Sequence, residues 1–392
     1  MPAPSTSDQD LFRRIIDFGM TPEELDADPA AAAQVATPLV NLGLPWPAGF
    51  APTPQPMNPK PMPSDPLPKA DILVVTWTVA EVEALADTLT PGTNRKNWYP
   101  YNRNFDAHYR PLIRKGAPSL AKNVERLGSY FMTKIGNKKV LCVKSELHLN
   151  QDGIATAPGK ATLPVKDFFQ QMIDEVQPSL VITAGTAGAV FGDHQLGDVI
   201  VTRGAKFRLR KEFANETFAD TAYKCDTFTI PTGKLNDAQT LLAKHAARLK
   251  EPDFGPPTKA YNWTGPLIPG IVNSPDLKID GVAFPAFHPI LTTDFFEFGN
   301  SVNKLETIGC GVEMGDAVLG QVVKEMMDAG KPAPNWLVIR NASDPQINGD
   351  LPTEPRATNM QAHWAVWYYE TYGYWTSVSS SIATWAVIAG LP

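Results

Sequence analysis

The chain has 392 residues, a formal net charge of −6, and hydrophobic residues at 43% of its positions. That length and apolar content are enough for one large globular domain or two ordinary ones. A mildly acidic chain has no global basic field, which argues against nucleic acid or an anionic membrane surface as a partner. No stretch approaches 18 uninterrupted apolar residues, so we expect no membrane span.

Cysteine usage and the N-terminus predict a cytoplasmic protein. The three cysteines, Cys142, Cys225 and Cys310, lie far apart and form no Cys-x-x-Cys motif. Such spacing suits a reducing compartment and argues against a disulfide framework or a zinc knuckle. The first ten residues, MPAPSTSDQD, have neither the basic nor the apolar region of a secretory signal. The six histidines lack metal-binding spacing, so we expect neither a metal nor another cofactor.

Residues 1–69 are predicted to form an arm added to the main body. From about Asp8 to Val35, an apolar stripe and a Thr-Pro helix start predict helical structure. From Thr37 to Pro68, proline is so frequent that the segment should run extended over a surface. Apolar residues such as Trp46 in that segment indicate packing on the main body or on a neighbouring subunit.

Residues 70–392 alternate between predicted strands and helices. Strands are predicted at Asp71–Thr76, Lys138–Ser145, Leu180–Thr183, Asp198–Thr202, Pro289–Thr293 and Trp336–Asn341. Helices are predicted at Ala80–Leu89, Pro164–Val176, Lys234–Leu249, Met314–Ala329 and Met360–Ala389. Segments near 94–126 and 253–282 have the composition of inserted loops. This alternation predicts an α/β fold with a largely parallel sheet.

The segment Ile182–Thr202, ITAGTAGAVFGDHQLGDVIVT, contains the most informative pattern. An apolar strand runs into the small residues Ala184–Gly188, and a second apolar strand follows at Asp198–Thr202. We expect a Gly-rich turn at this point, because such a turn lets backbone N–H groups approach a ligand. For a lone Gly-x-x-Gly motif, a plain turn between two core strands is the alternative.

Five segments of the main body, at the ends of predicted strands or at the start of a predicted helix, contain candidate site residues. They are Glu81 and Glu83, Gly185–Gly188, Asp294–Phe296, Val312–Asp316 and Asn341–Asp344. Because ligands of open α/β sheets bind at the carboxyl ends of the strands, these residues are candidates for a shared site. Each has a structural alternative: Asp344 precedes a proline and could start a turn, Glu81 could favour a helix N-terminus, and Phe296 could lie in the core.

The segments ITAGTAGAV, LGDVIV, GVEM and VIRNASD occur in this order along the chain. In that order they resemble the purine nucleoside phosphorylase and methylthioadenosine/S-adenosylhomocysteine nucleosidase superfamily. The resemblance covers most of residues 71–350. It implies a three-layer α/β/α sandwich around a mixed, largely parallel sheet, and cofactor-free cleavage of a purine N-glycosidic bond. It also implies a homodimer, in which the aromatic residues of 360–389 would lie in the core or at the subunit interface.

The resemblance implies a role for each candidate residue. Asp344 would be the general acid that protonates the purine at N7, Ser343 would help to hold its carboxyl group, and Glu81 would activate the attacking water. Phe296 would stack on the base. The other expected substrate-binding residues would line the sugar and nucleophile side: Gly185, Thr186, Gly188, Glu313, Met314 and Asp316.

Two departures from the family pattern bear on the reaction. The phosphate-binding arginine of the family's phosphorylases is Thr183 here, which favours hydrolysis over phosphorolysis. Cations between 203 and 211 could replace that arginine, could grip a phosphate on the substrate, or could form a solvated face. The family's ribose-clamping glutamate is Gly315 here, so Glu313 or Asp316 would have to take its place. The sequence therefore predicts a nucleosidase, with a phosphorylase or a catalytically silent nucleoside-binding module as alternatives.

Overall fold

The computed structural model describes residues 42–113, 119–153, 159–247, 275–280, 283, 287–351, 353 and 360–392. The helix predicted over Asp8–Val35 and most of the insertion predicted at 253–282 lie outside these residues. None of the helices in the described ranges is both long and apolar enough to cross a membrane.

The described residues form thirteen strands that share one sheet. The strands are β1 (Thr53–Pro54), β2 (Ile72–Thr76), β3 (Tyr99–Tyr101), β4 (Gly128–Ile135), β5 (Lys138–Ser145), β6 (Leu180–Gly188), β7 (Val199–Thr202), β8 (Gly204–Arg208), β9 (Ala222–Lys224), β10 (Leu277–Ile279), β11 (Ile290–Thr293), β12 (Gly311–Glu313) and β13 (Asn335–Asp344). At the centre, β5, β2, β6 and β13 pair in parallel, and antiparallel pairs flank them. The predicted mixed, largely parallel sheet is confirmed.

Eight α-helices lie within the described ranges. They are α1 (Val79–Leu89), α2 (Arg110–Leu112), α3 (Leu120–Val124), α4 (Leu149–Asp152), α5 (Pro164–Val176), α6 (Leu235–Ala246), α7 (Asp316–Asp328) and α8 (Met360–Ala389). Helices α1 and α6 pack on α8, which contacts β6 and β13, whereas α5 packs on α7, which contacts β8 and β11. Two separate groups of helices therefore cover the sheet, as the α/β prediction requires.

Two of the central strands, β2 and β6, are buried along their whole length. Every residue of β2 and of β6 is buried, which explains their continuous apolar sequences, because a strand covered on both faces has no polar face. The predicted Gly-rich turn is wrong: Ala184–Gly188 continues β6. The strand continues because β13 pairs alongside it, with Asn341 opposite Thr186 and Ala342 opposite Ala187.

Element boundaries follow the sequence closely in the long, strongly patterned segments. Strand β5 and helices α5 and α8 have the predicted bounds. Strand β4 was not predicted, although it pairs antiparallel with the whole of β5. Helix α7 begins at Asp316, two residues later than predicted, with Gly315 as its N-cap.

The described part of the N-terminal arm packs on the main body of its own chain. Leu42, Leu44 and Leu67 are buried in the main hydrophobic core. Trp46 contacts Trp385 of α8, with ring centroids 4.9 Å apart. Strand β1 adds to the edge of the sheet by pairing with β4. The segment near 94–126 also contributes structure, because β3 pairs with β4 on the same side.

Candidate active site

A pocket lies where the parallel strands β2, β6 and β13 end. Its empty space, counting the open mouth, is ≈ 730 Å³. Its walls are formed by Trp77, Thr78, Glu81, His148, Thr186, Ala187, Gly188, Phe296, Glu297, Val312, Glu313, Met314, Gly315, Arg340, Ser343, Asp344, Ala365 and Tyr369.

Most of the site residues predicted from the sequence meet in this pocket. The predicted residues that line it are Glu81, Thr186, Gly188, Phe296, Glu313, Met314, Ser343 and Asp344. Gly185 and Asp316 are absent from the lining and lie behind it, in contact with the side chain of Arg340. Proximity alone assigns no chemistry, so the individual roles stay predictions.

Asp344 is the last residue of β13 and places its carboxyl group at one end of the pocket. Ser343 Oγ donates a hydrogen bond to Asp344 Oδ1 at 2.9 Å. Asp344 Oδ2 is buried and has no hydrogen-bond partner among the described residues. Burial raises the pKa of Asp344 to about 7, against the opposing effect of the Ser343 hydrogen bond. This carboxyl group can therefore hold a proton near neutral pH.

Gly188 makes room for that carboxyl group. A Cβ atom at this position would lie 3.1 Å from Asp344 Oδ2 and 3.1 Å from Val312 Cγ1. Any side chain larger than hydrogen would therefore press on the free oxygen of Asp344. Phe296 lines the same pocket and packs near Phe298, with ring centroids 5.8 Å apart.

Glu81 lies in the first turn of α1, and both oxygens of its carboxylate accept hydrogen bonds. Its Oε2 accepts hydrogen bonds from Thr76 Oγ1 and from the backbone N–H groups of Trp77 and Thr78, at 2.8–3.0 Å. With the bond from its own backbone N–H to Thr78 Oγ1, it forms a capping box. Its Oε1 accepts from the backbone N–H and the hydroxyl of Thr186, at 2.8 and 2.9 Å.

The net effect of these partners keeps Glu81 ionised. Burial alone would raise its pKa, but the Arg340 guanidinium and the backbone N–H groups outweigh burial and lower the pKa. Two carboxylate oxygens offer about four lone-pair positions, and five close donors already occupy them. A water molecule therefore meets no free acceptor on Glu81.

Arg340, which was not predicted as a site residue, lies at the opposite end of the pocket and pairs with several acidic side chains. Its Nε and Nη2 form a two-point ion pair with Asp316, with Nε 2.9 Å from Oδ2. Its Nη2 lies 3.4 Å from Glu313 Oε2, and its Nη1 lies 3.5 Å from Glu81 Oε1 and 3.3 Å from Thr186 O. We call Arg340, Glu81, Glu313 and Asp316 the charge cluster. All four side chains are buried.

The pKa of Glu313 is shifted in the opposite direction from that of Glu81. Burial and the nearby Asp316 carboxylate raise the pKa of Glu313, with Arg340 opposing them. Its oxygens accept hydrogen bonds from Thr292 Oγ1 and from the N–H groups of Gly315 and Asp316. Gly185 makes room for the cluster, since a Cβ atom there would lie 2.3 Å from Glu81 Oε1 and 2.6 Å from Arg340 Nη1.

The other lining residues that were not predicted as site residues include Trp77, His148 and Tyr369. Within the described ranges the Nε2 of His148 is buried without a partner, and burial lowers the pKa of this side chain to about 3, so the ring is neutral. Tyr369 of α8 donates a hydrogen bond to Thr78 Oγ1 at 2.8 Å. His148 follows β5, and its place in the sequence allows either a pocket residue or a satisfied core histidine. Trp77 directly follows β2, where the same strand-exit pattern could have found it. Tyr369 has no local sequence signal.

The cations between 203 and 211 include three arginines with acidic partners. Arg203 pairs with Asp280, Arg208 with Glu297 and Arg210 with Asp220. No residue of 203–211 lines the pocket. The described residues contain no cluster of three or more His, Cys, Asp or Glu side chains suited to a metal ion.

Sequence comparisons match neither a protein-family model nor a curated protein. Structural comparison finds a 5′-methylthioadenosine/S-adenosylhomocysteine nucleosidase from Neisseria meningitidis, with 14% identity, a TM-score of 0.40, and coverage of 82% of this chain and 100% of that one. It also finds futalosine hydrolase of Helicobacter pylori, with 12% identity, a TM-score of 0.41, and coverage of 82% and 97%. A third similar structure is an S-adenosylhomocysteine nucleosidase from Streptococcus pyogenes, with 14% identity, a TM-score of 0.41, and coverage of 83% of this chain and 99% of that one. At these TM-scores, only the pocket itself can support a function.

Proposed function

We propose that this protein hydrolyses the N-glycosidic bond of a purine nucleoside. The observation that carries the proposal is the buried, partner-free Oδ2 of Asp344, on a carboxyl group whose pKa is about 7. The bond breaks most readily when the leaving base receives a proton as the sugar becomes an oxocarbenium-like cation. A neutral carboxylic acid beside the base can supply that proton, an effect of roughly 10²–10⁴-fold.

The charge cluster supports hydrolysis over phosphorolysis. Three carboxyl groups surround the single guanidinium of Arg340, so this end of the pocket has no surplus positive charge to attract phosphate. The donors of Arg340 already bond Asp316, Glu313, Glu81 and the Thr186 carbonyl. Phosphate recognition favours a free bidentate arginine, whereas a developing sugar cation is stabilised by nearby negative charge.

The spacing of the two ends suits a nucleoside. Arg340 and Asp344 lie on β13 opposite Gly185 and Gly188 of β6, because the register shifts between Ala342 and Asp344. Three residues of β6 correspond to about 10 Å of extended strand. In this orientation the base lies towards Asp344, with Phe296 as the stacking residue, and the sugar lies towards the charge cluster. Met314, between Glu313 and Gly315, then forms part of the sugar wall.

The attacking water is held through the Thr186 hydroxyl. That hydroxyl donates to Glu81 Oε1, and its own oxygen can still accept a hydrogen bond from water. The water oxygen adds to C1′ as the C1′–N9 bond breaks, and Asp344 gives its proton to N7 of the leaving base. The proton that the water loses passes by way of Thr186 to Glu81, and exchange with solvent restores both carboxyl groups. The products are the free base and the free sugar.

A second candidate, a catalytically silent nucleoside-binding protein, is favoured by one observation. All the close acceptor positions of Glu81 are occupied by protein donors. If Thr186 cannot link Glu81 to water, the pocket would bind a nucleoside without cleaving it. A homodimer and a cytoplasmic location remain predictions from the sequence.

The test is to incubate the purified protein with a panel of purine nucleosides, with and without phosphate, and to measure free base by chromatography. We expect base release without phosphate. Release that requires phosphate would replace hydrolysis by phosphorolysis. Calorimetric binding of a nucleoside without any release would establish the silent binding protein.

A further inference from the structure

We infer that Trp77 and Gly315 together select a nucleoside whose sugar lacks a vicinal diol, of which a 2′-deoxynucleoside is the simplest. This inference rests on the proposed function, which places the sugar beside the charge cluster. It names the substrate class of that site by the chemistry of its sugar.

Trp77 occupies the space that a side chain at position 315 would need. A Cβ atom on Gly315 would lie 3.0 Å from Trp77 Cζ2, 3.3 Å from Cε2 and 3.4 Å from Cη2. The indole is held in place, because the Arg340 guanidinium lies 5.0 Å from its ring centroid and Phe169 packs against it edge-on at 6.0 Å. A glutamate at 315 would therefore meet a fixed aromatic ring.

Among the described residues that line the pocket, no carboxylate is free to clamp two sugar hydroxyls. The carboxyl-bearing residues in the wall are Glu81, Glu297, Glu313 and Asp344. Glu81 and Glu313 already accept from several protein donors, and Glu297 forms a two-point ion pair with Arg208. Asp344 lies at the base end, where its proton is needed for the leaving group.

Two adjacent hydroxyl groups of the sugar would therefore meet different surroundings. One hydroxyl can find a neutral acceptor, such as the partner-free Nε2 of His148. A second, adjacent hydroxyl loses its water against the indole of Trp77 without gaining a charged acceptor. A CH₂ group at the same place packs on the indole. Apolar pockets reject an added hydroxyl by about 10²-fold at most, so we expect a preference for the deoxy sugar of about 10–100-fold in affinity.

The experiment compares a purine ribonucleoside with its 2′-deoxy counterpart, with the same base. Both KM for base release and the dissociation constant from calorimetry are measured, because deoxy glycosidic bonds are also intrinsically more labile and would bias kcat alone. We expect the deoxy compound to bind at least tenfold more tightly. Equal or tighter binding of the ribonucleoside would overturn the inference.

Variants locate the preference in the two residues. Trp77→Ala/Gly315→Glu removes the ring and adds a carboxylate, so affinity should shift by at least tenfold towards the ribonucleoside. Trp77→Phe keeps an apolar wall and should keep the deoxy preference. Trp98→Phe is the matched control, because Trp98 is buried outside the pocket and hydrogen-bonds Thr90. A double variant that folds, yet keeps the wild-type ratio of affinities, would contradict the assignment to Trp77 and Gly315.

The outcomes separate the inference from the proposed function. Tighter deoxynucleoside binding without base release would uphold the inference and overturn hydrolysis. Base release with a ribonucleoside preference in affinity would do the reverse. Absence of binding by both compounds would overturn both.

Discussion

The two ends of the pocket hold the same kind of chemical group in opposite states. At one end, the Asp344 carboxyl group has a single side-chain donor and one buried oxygen without a partner. At the other end, Glu81 accepts five close hydrogen bonds and faces Arg340. Both carboxyl groups are buried, yet burial dominates the pKa of the first, and charge and hydrogen bonds dominate that of the second. Partners, and not burial alone, decide which carboxyl group can donate a proton.

The largest expected effect comes from Asp344→Asn. The amide has nearly the same shape but no acidic proton, so kcat for a purine nucleoside should fall by roughly 10²–10⁴-fold. The measurement is steady-state base release. The matched variant is Ser343→Ala, which removes the hydrogen bond to Asp344 Oδ1 and should leave the acid protonated and active at neutral pH. Wild-type turnover by Asp344→Asn would remove Asp344 from the mechanism.

The stability of Asp344→Asn tests the same carboxyl group independently of turnover. The folded pKa of Asp344 is raised to about 7 from its ordinary value of 3.8. Between these two values, the folded protein keeps a proton that the unfolded chain has released, so this group makes the folded state less stable as the pH rises. The variant should therefore gain melting temperature relative to the wild type at pH 8, and little at pH 4. A large loss of stability at both pH values would indicate a structural role instead.

Glu81→Gln should have the next largest effect. Removing this charge leaves the buried Arg340 with less compensation, which should cost about 3 kcal/mol of unfolding free energy, and should lower kcat by about 10²-fold. Glu83→Gln is the matched control, because Glu83 is buried on the same helix, pairs with Arg95 at 2.9 Å, and does not line the pocket. We expect both variants to lose stability by denaturant titration and only Glu81→Gln to lose activity. Similar activity in the two variants would show that the charge cluster stabilises the fold and takes no part in the reaction.

The pH profile of base release should report the acid at the Asp344 end. Because Asp344 must be protonated, kcat/KM should fall about tenfold per pH unit above about pH 7. Glu81 should add no limb in the same range, because its pKa is lowered. A profile that rises above pH 7 would mean that the essential group acts as a base.

Phe296→Ala should have the smallest effect. Loss of a base-stacking ring should raise KM by about fivefold, the low end of base–aromatic stacking at about 1 kcal/mol. Phe298→Ala is the control, since Phe298 packs beside Phe296 but does not line the pocket. Equal changes in KM for the two variants would show that Phe296 contributes to hydrophobic packing and does not stack on the base.

The sequence predicted which residues gather at the ends of the strands, but it did not predict the ion pairs between them. Glu81, Thr186 and Asp344 could be found because polar residues after buried strands gather at one sheet edge. The prediction of Gly185 and Gly188 rested on a turn, whereas in the structure they lie within β6 and leave room for the side chains of Glu81, Arg340 and Asp344. No turn of the chain requires them.

Arg340 was missed because its partners are distant in the sequence. Inside the apolar run of β13 it has no local pattern, and its ion pair with Asp316 comes from the start of α7. Trp77 directly follows β2, so the strand-exit pattern could have found it, but its approach to Gly315 links two segments more than two hundred residues apart. Contacts of this kind depend on tertiary packing, which no local period in a single sequence encodes.

One measurement tests the central claim, that Asp344 protonates the leaving base, most directly. Wild type and Asp344→Asn are compared on a cleaved purine nucleoside and on its N7-methyl derivative, whose base is already cationic and needs no proton to leave. The proposed mechanism predicts a loss of roughly 10²–10⁴-fold on the ordinary nucleoside and nearly equal rates on the methylated one. An equal loss on both substrates would contradict it, because the proton of Asp344 would then not be what the variant lacks.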